Sequence, residues 1–363
     1  MENRSPFMHY NHSVLDGHYH ILLGLENGAG QDFVQSTRAY LDSRSFASLN
    51  ICAVPFLAEY QTDVSNNILA ALCKLELPHL YIHGGIVYPE VPVPPSMPAD
   101  YAPEVQYREL MEMGFDGVKM LETKPTEIRK LGRSMADELY EEWFAAIERD
   151  GTHIVWHVAD PGHFWMREYV SDEFVERGWF YGDGTYPTQA QIFEQVETVL
   201  SRHPMLKVTL AHFYFHGDDP DRLEWLLEQY PNLNVDITPG WEMYAAFARD
   251  PEYWREFFTR YAHRIGFGTD TCDENEGSPE IADIVYRFLT TTEEQEIWGI
   301  RFPGIALNDA SLRLILEDNF RRRVGDTPRP INREALKRYI EKYSHLIQSA
   351  DLRAYIEEAG RRL

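Results

Sequence analysis

Cysteine is scarce. Cys52, Cys73 and Cys272 are the only three in 363 residues, an odd number without C-x-x-C spacing. Neither a disulfide framework nor a thiolate metal site is therefore encoded, and a reducing, cytoplasmic setting is expected. Basic residues are outnumbered, 34 against 58 acidic ones, for a net charge of -24. That balance speaks against a nucleic-acid partner, whose phosphates need a Lys/Arg surface, and equally against an anionic membrane. Long apolar runs are missing as well: nothing approaches the ~18 consecutive apolar residues of a membrane span. The opening MENRSPFMHYNHSVLDGHYH has no apolar stretch of the signal-peptide kind. No G-x-G-x-x-G follows the first strand pattern, and no internal repeat or low-complexity segment is seen. What remains, with 44% hydrophobic and 13% aromatic residues, is a globular chain able to bury a sizeable core.

Eight short apolar, β-rich runs punctuate it: 14–21, 46–56, 79–87, 115–121, 153–159, 206–213, 233–238 and 265–270. Amphipathic helical patterns lie between them, such as SMADELYEEWFAAIERD, TQAQIFEQVETVLSRH and DPDRLEWLLEQY. Several runs are continuously apolar, as parallel strands buried on both faces are. An eightfold strand–helix alternation predicts an α/β fold, a distorted (β/α)8 TIM barrel, over an open doubly wound sheet. We read one domain over 1–363, with the barrel at about 14–300 and a helical extension at about 301–363 in which 321–330 is a linker. Two inserts fall at the C-terminal face of such a barrel, where catalysis takes place: the proline-rich 88–100 and the aromatic 160–187. Both are long enough to be lids, although an aromatic insert also suits the contact of a homo-oligomer.

The sharpest chemical signal is Asp16-Gly-His18-Tyr-His20 on the first strand. Period two turns His18 and His20 to one side, a chelate for a borderline divalent metal such as Zn2+. Asp16 shares that parity and is a candidate for orienting a histidine. His157, His212 and Asp270 lie near the ends of the fifth, sixth and eighth runs, so all five residues converge on one barrel mouth. The bland alternatives are a core histidine at 157 and a helix cap at Asp270. Lys119, near the end of the fourth run, has three readings: a carboxylated bridge between two metals, a substrate-binding cation, or an ion pair with Asp116 or Glu122. His83 reads as a turn-capping histidine, and Cys272 as incidental.

The ordered set DGHYH, HVADPGHFW, LSRHPMLKVTLAHF, YPNLNVDIT, RIGFGTD and the closing LILEDNFRRRV resembles the amidohydrolase superfamily, in its amidohydrolase-related branch of metal-dependent barrel hydrolases. The resemblance spans about residues 14–325. It implies His18, His20, His157 and Asp270 as ligands of a divalent metal, Zn2+ foremost and Mn2+ as the other choice. Asp270 would also act as the base toward water, and His212 would polarise the substrate carbonyl or assist proton transfer. The expected reaction is hydrolysis of an amide, ester or lactone in a small molecule. The branch also contains non-oxidative decarboxylases acting on unsaturated or aromatic acids, a reaction that needs cations to hold a carboxylate; Lys124, Arg129, Lys130 and Arg133 are candidates, with a solvated basic face as the blander reading. A barrel that has lost catalysis and only binds is the third reading.

Overall fold

Each of the eight apolar runs becomes a strand in the structure, a computed structural model that describes residues 10–22, 33–57, 62–272, 278–297 and 299–363. The first seven are β1 (Leu15–His20), β2 (Ser48–Cys52), β3 (Tyr81–Gly84), β4 (Gly117–Thr123), β5 (His153–Val158), β6 (Lys207–Leu210) and β7 (Leu233–Asp236). Every position of β2 and β5 is buried, which is why these strands show no polar alternation. The eighth run holds only the short β8 (Ile265–Gly266), and a second short strand, β9 (Thr271–Cys272), follows just past its end. All neighbours are parallel: β1 to β8 pair in sequence order, and β9 pairs with β1. The chain between β8 and β9 thus crosses the seam of the sheet. Gly17 N donates to Phe267 O (3.1 Å) and Asp270 N to His18 O (2.8 Å), which closes the barrel.

The helices between strands begin and end on local signals. Pro103–Met113 and Pro125–Leu131 open on proline, whose missing N–H costs nothing there, and stop at Gly114 and Gly132 in the left-handed region. Gln189–Arg202 starts from a reciprocal cap between Thr188 and Gln191. Glu141–Asp150 buries Trp143, Phe144 and Ile147 against the strands, each worth about 1.5–3 kcal/mol of apolar burial.

Past Thr290 the sequence reading needs correction. An antiparallel hairpin of β10 (Glu294–Ile297) and β11 (Ile300–Pro303) spans the place assigned to the boundary at about 300. The helical run Asp309–Val324 follows, with a π turn at Leu314–Asp318. It consumes the first part of the predicted linker and leaves 325–332 as the connection. Asn319 Nδ2 donates to Ala262 O (2.6 Å) and Ile265 O (2.8 Å). That places the Phe320 ring beneath the barrel, 5.1 Å from Tyr81 and 6.2 Å from both His83 and His153. The last helices, Arg333–Tyr343 and Ala350–Arg362, pack on Pro103–Met113 and Ser65–Glu76. Among the described residues no helix is long and apolar enough to cross a membrane.

The aromatic insert builds a small core of its own. Phe164, Val170 and Tyr181 are buried in it, with Phe174 and Trp179 packed around them.

Candidate metal centre

The five residues singled out from the sequence meet at the C-terminal ends of the strands. His18 and His20 share one face of β1, their ring centroids 5.1 Å apart. His157 is the fifth residue of β5, His212 follows β6 by two residues, and Asp270 sits in the seam between β8 and β9. Ligand atoms of His18, His20 and Asp270 all lie within 4.8 Å of one another. His157 stands outside that group and meets it through His212, Nδ1 to Nε2 at 3.1 Å. Asp270 Oδ1 is 2.9 Å from His20 Nε2 and 3.4 Å from His18 Nε2, while Oδ2 is 3.6 Å from His212 Nε2. The carboxylate is a third exposed, so it faces the mouth.

The backbone is strained at this rim. Ala159, His212 and Asp270 have φ of 61°, 55° and 54°, a region that costs a non-glycine residue about 1–3 kcal/mol. The left-handed turn continues through Phe213, Tyr214 and Phe215. Phe213 is held by Phe247, Trp254 and Phe258 at 5.2–5.7 Å, packing that fixes the turn. Phe215 is thereby stacked on the His212 ring at 5.2 Å.

Hydrogen-bond partners determine where each imidazole keeps its proton. His18 Nδ1 donates to Asp236 Oδ2 (3.0 Å) and His20 Nδ1 to Cys52 O (2.7 Å). His157 Nε2 donates to Ala159 O (2.8 Å). Thr238 gives its hydroxyl proton to Asp236 (2.6 Å), so His212 Nδ1 donates to Thr238 Oγ1 (3.2 Å). In the neutral ring the other nitrogen then carries a lone pair, and all four of these point inward. His20 Nε2 faces a carboxylate oxygen, and His157 Nδ1 faces His212 Nε2, lone pair against lone pair. Such a cluster is repulsive until a cation or proton enters, and the donor set, imidazoles with a carboxylate, suits a divalent metal. Burial lowers His18 and His212 to about 4 and lowers His157 as well, which keeps the rings neutral. Burial works to raise Asp270, but any positive charge brought onto His18, His20 or His212 outweighs it and holds the carboxyl well below its usual range.

Lys119 Nζ is 2.8 Å from His18 Nε2 and almost fully buried. The expected ion pairs with Asp116 and Glu122 are not formed: Asp116 binds Lys74 (2.5 Å), and Glu122 accepts from Tyr88 Oη (3.1 Å). Asp16 does not orient an imidazole. The β1 register shifts between Asp16 and Tyr19, and its carboxylate accepts instead from the His18 and Thr269 amides (3.1 Å each), Thr269 Oγ1 (2.6 Å) and Tyr40 Oη (2.9 Å). The orienting carboxylate is Asp236, which sequence reasoning missed. Its signal was an acidic residue ending a buried strand, LNVD. Asp160 was missed too. It takes both contacts of Lys124 (3.0 Å) and the Tyr181 hydroxyl (2.7 Å), and lies 3.4 Å from His157 Nε2. Lys124 is thereby engaged, Arg133 pairs with Asp137 (3.0 Å) and Arg129 lies over Tyr186, while Lys130 lines a separate cavity with Phe56, Tyr88 and Val91, so the four loop cations do not converge on one point.

His83 caps no turn. It lies inside the barrel below the site, in a chain with one direction. Thr209 Oγ1 donates to His153 Nε2 (2.8 Å), His153 Nδ1 to His83 Nε2 (2.9 Å), His83 Nδ1 to Asn50 Oδ1 (2.7 Å), and Asn50 Nδ2 to Gly17 O (2.9 Å). Gly117 makes room for it, since a Cβ there would sit 2.3 Å from His83 Nε2.

A family model described as amidohydrolase matches residues 99–324. No curated protein matches by sequence. Among solved structures, an uncharacterized TIM-barrel protein from Bordetella bronchiseptica aligns with a TM-score of 0.52 at 13% identity, over 85% of this chain and 97% of its own. An amidohydrolase II gives 0.51 at 14%, over 86% and 99%. The 2,6-dihydroxybenzoate decarboxylase from Rhizobium gives 0.50 at 14%, over 86% and 98%. At such identities the structural likeness is one of fold.

Proposed function

This chain belongs to the amidohydrolase family, whose model covers residues 99–324, and from that premise we propose that it is a metal-dependent hydrolase of a small amide, ester or lactone. The observation that carries the reading is Asp270, an ionised and partly open carboxylate set among inward-facing lone pairs of His18, His20 and His212. His18, His20 and Asp270, with His157 beside them, would hold a divalent cation, Zn2+ or Mn2+, whose charge lowers the pKa of water from ~16 to about 7 and stabilises a developing oxyanion. Asp270 accepts the proton of the attacking water on its open side. Asp270 then passes that proton to His212 Nε2, 3.6 Å from its Oδ2, and His212 delivers it to the leaving group. This assignment selects proton transfer over carbonyl polarisation for His212, because its Nδ1 proton is committed to Thr238 and its Nε2 is an acceptor. Lys119 lies against the same lone pair of His18 that a metal needs. It must swing away to bind substrate or be carboxylated to join the ligand set.

The test is elemental analysis of protein purified without chelator, followed by a panel of amides, esters, lactones and aromatic acids. We expect one metal per chain, two if Lys119 is carboxylated, with hydrolysis lost on chelation and regained on adding Zn2+ or Mn2+. Replacing His18 and His20 by Ala together should remove most of the metal. Native metal content in that double variant would overturn the site. Turnover of aromatic acids alone would turn the reaction into decarboxylation, and metal-free protein would favour a barrel that only binds.

A further inference from the structure

A cavity of about 670 Å³ opens beside the candidate metal centre, between the aromatic insert and the turn after β6. Gly162, His163 and Met166 of the insert wall one side, and Phe193, Phe215 and His216 the other. Phe215 is the ring stacked on His212 at 5.2 Å, and its centroid is 5.9 Å from that of His157. One phenyl ring thus separates the cavity from the two histidines.

The cavity is acidic, and its acids differ in what they do. Glu197 is bound by Arg222, Asp218 by Arg249 (2.6 Å), and Asp219 caps the helix Pro220–Gln229. Glu242, in the first turn of Trp241–Arg249, is different. Both carboxylate oxygens are buried and no other residue donates a hydrogen bond to either. A first-turn carboxylate does gain from the helix dipole, but its placement is more specific than that. A side chain begun at Gly240 would meet Glu242 Oε1 at 3.2 Å, Phe215 Cε1 at 3.4 Å and His212 Cβ at 3.5 Å. The orphan carboxylate therefore shares one small space with the stacked Phe215–His212 pair. Burying a carboxyl group with no donor is costly unless something supplies one.

We propose that this cavity is a substrate subsite for an organic cation, with the carboxylate of Glu242 receiving a protonated amine and Phe193, Phe215 and Met166 flanking the carbon skeleton. This names the substrate class and rests on the hydrolase reading only for the claim that the amine belongs to the molecule being hydrolysed. Burial and the charges of Asp218 and Asp160 raise Glu242 to about 7, against the pull of its own backbone amide. An arriving ammonium supplies the missing donors and holds the group ionised. A neutral alcohol offers one donor and no charge, and an anion is repelled by the surrounding acids.

The experiment uses benzylamine as the probe, with benzyl alcohol and benzoate as the neutral and anionic counterparts of the same size. Binding to the full chain is measured calorimetrically at pH 7.5. We expect benzylamine to bind roughly tenfold or more tighter than benzyl alcohol, and Glu242→Gln to erase that preference. Glu242→Gln should also keep the wild-type metal content and raise the melting temperature, because it removes a buried carboxyl without a partner. Equal affinity for amine and alcohol in the wild-type protein, or an amine preference that survives in Glu242→Gln, overturns the proposal. Neither readout uses turnover, so a failed hydrolase assay and a failed subsite are told apart.

Discussion

Two clusters of histidines lie in this barrel, one above the other, built from the same side chain and put to opposite ends. In the lower one, Thr209, His153, His83 and Asn50 pass hydrogen bonds in a single direction, each nitrogen meeting a partner of the complementary kind. Nothing is left over, and burial lowers His83 to about 3 and His153 well below its ordinary value. In the upper one every outward nitrogen is tied to a carbonyl, a hydroxyl or Asp236, and every inward nitrogen lacks a donor except where Lys119 reaches His18. Buried polar groups that are fully paired stabilise a structure. Groups that are paired on one side only wait for a ligand. The number of histidines does not distinguish a site from a core; the direction of their hydrogen bonds does.

That contrast is most exposed to attack at Asp270 and His212. Asp270→Asn keeps shape and an oxygen atom but loses the basic charge, so turnover should fall ~10²–10⁴-fold while the metal is largely retained. His212→Asn should also keep its metal, but it loses the proton relay, so hydrolysis of amides should suffer more than that of activated esters. Single-turnover kinetics with both substrate types, alongside metal analysis, checks this. If His212→Asn strips the metal, His212 is a ligand, Lys119 becomes the leading bridge, and a two-metal site replaces the single one.

The lower cluster should respond in stability alone. His153→Leu leaves His83 Nε2 without a donor and the Thr209 hydroxyl without its acceptor, which should cost about 1–3 kcal/mol in chemical denaturation with metal content unchanged. Loss of metal as complete as in the His18, His20 double variant would erase the distinction between the clusters. A further effect is in acid. A histidine kept neutral by folding binds fewer protons than its unfolded counterpart, so its contribution is intact above the ordinary value of 6.5 and is lost as pH falls toward about 3. His83→Gln should therefore flatten the dependence of stability on pH across that window. A slope as steep as in the wild type would mean that His83 is not the group that titrates.

How much of this the sequence disclosed depends on whether a property is local. Strand periodicity is local, so all eight runs appear where their apolar residues predict them. The same holds for the parity that turns His18 and His20 to one side. Asp236 escaped because its role comes from a partner far along the chain, His18 Nδ1, which no spacing reveals. Asp16 was misjudged because a register shift in β1 changes what it meets. Lys119 could be placed at the mouth but not given a partner, since Lys74 takes Asp116 through a contact the sequence does not mark. The left-handed turn at 212–215 was invisible for another reason: it contains no glycine, and the aromatic packing around Phe213 holds it in a conformation its own residues disfavour.

The seam between β8 and β9 has a consequence for how the molecule comes into being. Asp270 and His20 are 250 positions apart in the chain, yet their contact lies where the first and last strands meet. A polypeptide leaving the ribosome holds both first-strand histidines long before the final carboxylate is synthesised. By then Asn50, His83, His153 and Thr209 have all emerged, so the lower chain has its members while the upper ring still lacks one. The ring of lone pairs is thus assembled by the same event that shuts the barrel, and an unfinished chain cannot present the complete set.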